Sequence, residues 1–167
     1  MNKIRYPLTQ AELSELVHYD PETGIIRWIK SISNRAPVGT IAGSYTKGSR
    51  NIHIYRTGFK AHRLAWLYMT GEWPKKGIDH INGNPDDNRW CNLREATQSQ
   101  NTANTRRHCD NKIGYKGVTQ DKSGVFYIRV MRRGVTYRRY GFATAEIAHQ
   151  AYIALSKEIH GEFARSE

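Results

Sequence analysis

Long apolar runs are missing from this chain. The longest, Leu64-Ala65-Trp66-Leu67-Tyr68-Met69, has six residues, against the roughly 20 that a membrane-spanning helix needs. The opening MNKIRYPLTQ has no apolar stretch of the kind a secretory signal carries. A membrane or secreted protein is therefore disfavoured. Cysteine is equally scarce. Cys91 and Cys109 stand 18 residues apart and outside any CxxC arrangement, which fits two free thiols in a reducing compartment better than a disulfide scaffold. A zinc set of Cys91, His108 and Cys109 is disfavoured, because adjacent His108 and Cys109 are awkward joint ligands. Acidic residues are few, 15 Asp+Glu against 26 Lys+Arg, for a net charge of +11. That excess makes nucleic acid the leading partner, since each neutralised phosphate releases counterions. With 38% hydrophobic and 11% aromatic residues the chain can build small cores, so wholesale disorder is excluded. Its 167 residues suit one modest domain or a few very small ones.

The charge is concentrated. Between Arg106 and Arg139, ten basic residues face only Asp110 and Asp121, so this stretch holds +8 of the +11. Before it, Thr9-Gln10-Ala11-Glu12 reads as a capping box opening a helix through Val17. Asp20-Pro21-Glu22-Thr23-Gly24 reads as a turn between the β-prone pieces His18-Tyr19 and Ile25 to Trp28. Asn51 to Tyr55 alternates like a strand. Residues 1–58 thus form a β-rich unit without evident chemistry. A helix from Ala61 to Thr70 ends at Gly71. Then come a short strand (Ile78-Asp79-His80), a polar loop, a second strand near Asn92-Leu93, and a helix capped by Thr97 and running to about Arg106.

That strand–loop–strand–helix order carries residues suited to metal-assisted phosphate chemistry. Asp79 is a hard oxygen ligand for a divalent cation. His80 is the side chain whose pKa best suits removal of a proton from water near neutral pH. Neighbours on a strand aim apart, so a site here needs a ligand from another element, and Asn101 on the following helix is the natural candidate, with Asn104 the alternative one turn on. Asp86, Asp87 and Asn88 are expected to serve the loop itself, with Asn88 and His62 as supporting residues.

The segment Asp79-His80-Ile81-Asn82-Gly83, Asp87-Asn88-Arg89, Asn92-Leu93-Arg94 and Asn101 resembles the ββα-metal motif of HNH endonucleases, particularly the phage and intron homing type. Ala61-His62-Arg63-Leu64-Ala65-Trp66 is similar to a helix that precedes that motif. The resemblance implies a nuclease core over 59–110, His80 as general base, Asp79 and Asn101 holding one divalent metal, and Asn92 holding the strand pair and the His80 ring by hydrogen bonds. The third motif letter, often His, is Asn here, which favours magnesium or manganese over zinc.

The last third reads as three antiparallel strands and a helix capped by Thr144, with Ile147, Ala148, Ala151, Tyr152, Leu155 and Ile159 on one face. Arg132-Arg133-Gly134 reads as the turn between the second and third strands. Phe126, Ile128 and Val130 face inward, leaving Tyr127 and Arg129 outward, with Tyr137 and Arg139 as their expected outward companions. Flanked by Lys116, Arg132 and Arg133, such a face suits a DNA groove. Gly114-Tyr115-Lys116-Gly117-Val118, Tyr140-Gly141-Phe142 and Thr144-Ala145-Glu146 resemble the Apetala/ERF DNA-binding domain, over 111–167.

The expectation is an α+β protein: a β-rich N-terminal unit, an HNH core, and a C-terminal three-stranded antiparallel sheet on one helix. The resemblance implies a metal-dependent endonuclease of double-stranded DNA, acting as a monomer or homodimer in a bacterial or phage-infected cytoplasm, with no membrane and no small-molecule substrate. Rival readings are a catalytically inert DNA-binding regulator and an RNA-binding protein, the latter weakened by the poverty of stacking motifs for single strands.

Overall fold

A computed structural model describes residues 8–46, 48–107 and 110–165, and the chain falls into two compact units, Met1–Glu95 and Ala96–Glu167. The architecture is α+β, built from small antiparallel sheets and short helices.

In the first unit the Thr9 hydroxyl accepts from the Glu12 N–H, and the Glu12 carboxylate accepts from the Thr9 N–H at 2.8 Å. This reciprocal cap starts α1 (Gln10–Ser14). The helix stops short of the expected Val17. Val17 and Tyr19 are buried with His18 exposed between them, and this alternation commits the segment to β1 (Val17–Tyr19), antiparallel to β2 (Ile26–Trp28). The Asp20 carboxylate shapes the turn by accepting from the Glu22 N–H at 2.9 Å and the Thr23 hydroxyl at 2.7 Å.

A second sheet follows in the order β3 (Ser44–Thr46), β4 (Ser49–Ile54), β5 (Thr57–Lys60). The sequence does not announce β5, because Tyr55 and Arg56 make the intervening turn at φ 46° and 69° without a glycine. Helix α2 (Ala61–Thr70) ends at left-handed Gly71. It is followed by β6 (Gly77–His80) and β7 (Leu93–Ala96), which pair. Ile52, Ile54, Leu64, Leu67, Ile78 and Leu93 share one core with Leu13, Val17, Tyr19 and Trp28. The expected boundary at residue 58 therefore falls inside a single packed interior.

The second unit holds α3 (Gln98–Asn104), β8 (Val118–Gln120), β9 (Phe126–Arg132), β10 (Val135–Phe142) and α4 (Ala145–His160), with strand order β10-β9-β8. Ala148, Tyr152, Leu155 and Ile159 of α4 pack with Val118, Ile128 and Val130. Ile147 does not join them as expected; it is 54% exposed. The buried stripe follows spacings of four, three and four residues from Ala148, and Ile147 lies about 100° to one side of its start. Ala96, Ala103 and Phe163 form a further small cluster in this unit. Among the described residues no helix is long and apolar enough to cross a membrane.

Candidate active site

Strand β6 delivers Asp79 and His80 side by side, and they take different partners. The Asp79 carboxylate, 6% exposed, accepts on Oδ2 from both Nε and Nη2 of Arg94 on β7, each at 2.9 Å. The His80 ring, 8% exposed, lies with Nε2 at 3.2 Å from Oδ1 of Asn88. The His62 ring of α2 stands edge-on to it, centroids 5.1 Å apart and planes at 86°. Burial first, then the neighbouring His80, Arg63 and Lys60, push His62 down to about 4. His62 is therefore neutral at physiological pH.

The polar loop between the strands is closed by its own side chains. Asn92 accepts on Oδ1 from the Asn82 N–H at 2.9 Å, and donates from Nδ2 to the Asn82 side-chain oxygen at 3.0 Å and the Asp87 carbonyl at 2.7 Å. Its own carbonyl accepts from the Ile81 N–H at 2.9 Å. Asn92 thus acts on the strand end and loop, and the hydrogen bond described on the His80 ring is to Oδ1 of Asn88. Asp87 takes a two-pronged contact from Arg89, 2.8 Å from Nε and 2.6 Å from Nη2; with smaller contributions from other partners, it holds the carboxyl at about 2.

Asn88 is expected to serve the loop, and does so through Nδ2, which donates to the Asp86 carbonyl at 3.3 Å. It also bonds outside the loop: its carbonyl accepts from the buried Tyr19 hydroxyl at 2.7 Å. Sequence reasoning assigns no role to Tyr19 or Arg94. A charge on each of two short consecutive strands was a usable signal for the Asp79–Arg94 pair, whereas nothing local marks Tyr19, 69 residues from its partner.

In the second unit, Thr97 and Gln100 form a capping box that starts α3. Asn101 follows in the first turn, its N–H donating to the Thr97 carbonyl at 2.9 Å, and its side is only partly covered, whereas Asn104 is 6% exposed. On the sheet, Arg129 is exposed as expected. Its companions differ. The two-residue turn Arg133–Gly134 places Arg132 opposite Val135, so Arg138 pairs with Arg129, while Tyr137 and Arg139 pair with the inward Val130 and Ile128. Directly opposed residues share a face, so Tyr137 and Arg139 lie on the helix side. Arg139 accordingly reaches Glu158 of α4 at 4.0 Å. Tyr140 instead stacks on Tyr127, centroids 5.1 Å apart. The outward set is Tyr127, Arg129, Arg138 and Tyr140.

Lys116 is a second correction. Its ammonium donates to the carbonyls of Ala103 and Thr105 at 2.7 Å and of Arg165 at 3.0 Å. All three of its protons are committed to holding segments of this unit together, which removes it from the phosphate-gripping set. Arg132 and Arg133 are exposed at the turn. Among the described residues no three His, Cys, Asp or Glu side chains gather as a metal set; Cys91 is exposed, while His108 and Cys109 lie outside the described residues.

A family model described as HNH endonuclease matches residues 59–103, which spans α2 through most of α3. A protein of Acanthamoeba polyphaga mimivirus, named as an uncharacterized HNH endonuclease, is 33% identical over 122 residues, covering 72% of this chain and 59% of that protein. The chain thus corresponds to only part of that relative's length. Protein 3.8 of Escherichia phage T7 is 32% identical over 120 residues, covering 66% of this chain and 95% of its own. No solved structure gives a significant match. Residues 59–103, with the motif residues on a paired-strand scaffold, thus match the HNH endonuclease family, and the chain is similar over most of its length to a relative named for that family.

Proposed function

We propose that the protein is a metal-dependent endonuclease of the homing type that hydrolyses phosphodiester bonds in double-stranded DNA. The observation that carries this reading is the His80 ring, buried between Asn88 and His62 on the strand that also bears Asp79, within the segment matched as HNH endonuclease.

His80 is assigned as the general base. It takes a proton from the attacking water, the water oxygen bonds to phosphorus, and the bond from phosphorus to the 3′ oxygen breaks; that oxygen takes a proton from solvent water, leaving 5′-phosphate and 3′-hydroxyl ends. Asn92 keeps the loop closed so that β6 presents His80 in one orientation. Asp79 and Asn101 are assigned to the metal; their motif positions support this. The donors are a buried carboxylate and an amide carbonyl, all oxygen, which fits magnesium or manganese and disfavours zinc. Held by these residues, a divalent cation would supply Lewis acidity to phosphodiester hydrolysis. Arg94, already on the Asp79 carboxylate, keeps that side chain in place within β6–β7.

The division of labour we propose puts the chemistry in residues 59–110, supported by 1–58, and DNA positioning in 111–167, in the manner of an Apetala/ERF domain. The outward Tyr127, Arg129, Arg138 and Tyr140, with Arg132 and Arg133 at the turn, form a basic, aromatic strand face of the kind that enters a groove. Incubation with supercoiled plasmid, with magnesium or with excess chelator, tests the reading. Nicked or linear product that appears with the metal and vanishes with chelator is expected. Plasmid that is bound yet never cut would instead identify an inert DNA-binding regulator.

A further inference from the structure

We propose that the β1–β2 hairpin is a built-in brace of the general base, with Tyr19 and Asn88 as positioning residues that hold the His80 ring in one orientation. The inference rests on His80 being the base. Its geometry lies wholly within the first unit.

The amide of Asn88 can be oriented from its neighbours. Nδ2 donates to the Asp86 carbonyl at 3.3 Å, which turns Oδ1 toward Nε2 of His80 at 3.2 Å. An amide oxygen only accepts, so this contact calls for a hydrogen on Nε2. Reversing the tautomer would set an oxygen against a nitrogen lone pair in a site where both residues are buried, Asn88 at 2% exposed.

What holds Asn88 is the hairpin. The Tyr19 hydroxyl, itself 1% exposed as a residue, donates to the Asn88 carbonyl at 2.7 Å. Burial pushes the Tyr19 phenol well above its ordinary value, so its proton stays in place as the donor. Two residues on, the Trp90 N–H donates to the Pro21 carbonyl at 2.9 Å. Gly24, at φ +72°, lies so close that a Cβ there would stand 2.5 Å from the Asn88 carbonyl carbon and the Arg89 nitrogen. Only glycine allows both this backbone angle and this approach. Three contacts from one hairpin thus converge on residues 88–90, a density that loop closure alone does not call for, since Asn92 and Asn82 already close the loop.

The test uses full-length protein and supercoiled plasmid in magnesium, with the His80 ring read by a long-range proton–nitrogen correlation spectrum. Wild type is expected to show the Nε2–H tautomer. Tyr19→Phe should lower kcat roughly tenfold, about the worth of one buried hydrogen bond, with KM unchanged and a mixed tautomer. Asn88→Ala should lose the tautomer preference and more of kcat. Asn88→Asp, which keeps the acceptor, should retain the Nε2–H form and more activity than Asn88→Ala. Thr9→Ala, which removes a helix cap of similar stability away from the site, should keep wild-type kcat and spectrum. The brace is overturned if Tyr19→Phe matches wild type in both readouts, if Asn88→Ala keeps the Nε2–H form, or if Thr9→Ala loses kcat as Tyr19→Phe does. Wild-type nicking by His80→Ala would instead remove the nuclease reading, and the spectra would still decide the tautomer.

Discussion

His62 is the residue whose environment most directly links the site to stability. Its folded value near 4 lies below the ordinary 6.5 because burial disfavours the imidazolium. Between those values the unfolded chain binds more protons than the folded one, so stability present above pH 6.5 is lost as pH falls toward 4. The full loss is about 3 kcal/mol by the usual conversion. Urea midpoints at pH 7 and pH 4.5 should separate widely in wild type and draw together in His62→Gln. Arg94 is the other sensitive position. Arg94→Ala leaves the buried Asp79 carboxylate without the guanidinium now 2.9 Å away, and should cost about 3 kcal/mol in equilibrium unfolding. The motif letters stand out in the sequence as a carboxylate, an imidazole and amides at fixed spacing, and they fall within the segment matched as HNH endonuclease. Their partners were less legible. The Asn88–His80 bond depends on how the loop folds back, and Tyr19 reaches Asn88 only through tertiary packing.

At the scale of elements, turns and caps were readable from local chemistry. Thr9, Thr97 and Thr144 each cap the helix that follows, and Gly71 ends α2. Strand phase was harder. Counting Arg132 into the turn before β10 shifts the pairing by one residue and turns every side chain of that strand over. The actual two-residue turn puts Arg138 beside Arg129 and sends Arg139 toward Glu158. This register makes a clear prediction for DNA binding by gel shift at two salt concentrations. Arg138→Ala should weaken affinity and reduce the salt slope by about one if it contacts a phosphate, whereas Arg139→Ala should change both less. Arg129→Ala should relax sequence preference by roughly 1–3 kcal/mol if it reads a base. Equal effects of Arg138→Ala and Arg139→Ala would contradict the face assignment. Lys116 separates structure from binding in the same unit. Burial and then the neighbouring Arg165 push its ammonium down to about 8, and its three carbonyl partners hold segments distant in sequence. Lys116→Met should lower the melting temperature while leaving the salt slope of binding unchanged.

Over the whole molecule, composition pointed to nucleic acid and the placement of charge pointed to the last third, where +8 of the +11 resides. The division into units was only partly legible. Residues 1–58 look separable by their β-rich pattern, yet Leu8 to Ile54 share a core with α2, β6 and β7, and their first hairpin reaches the loop that carries Asn88. A segment with no evident chemistry in its sequence thus contacts the loop residue that bonds the His80 ring. The central claim is that His80 removes the proton from water. Its most direct test is the single-turnover rate of plasmid nicking in magnesium by wild type and His80→Ala, with DNA affinity measured on the same preparations. The account predicts a rate loss of roughly 100-fold or more at nearly unchanged affinity, because the base acts mainly in the transition state. Retention of more than about a tenth of the wild-type rate would contradict it.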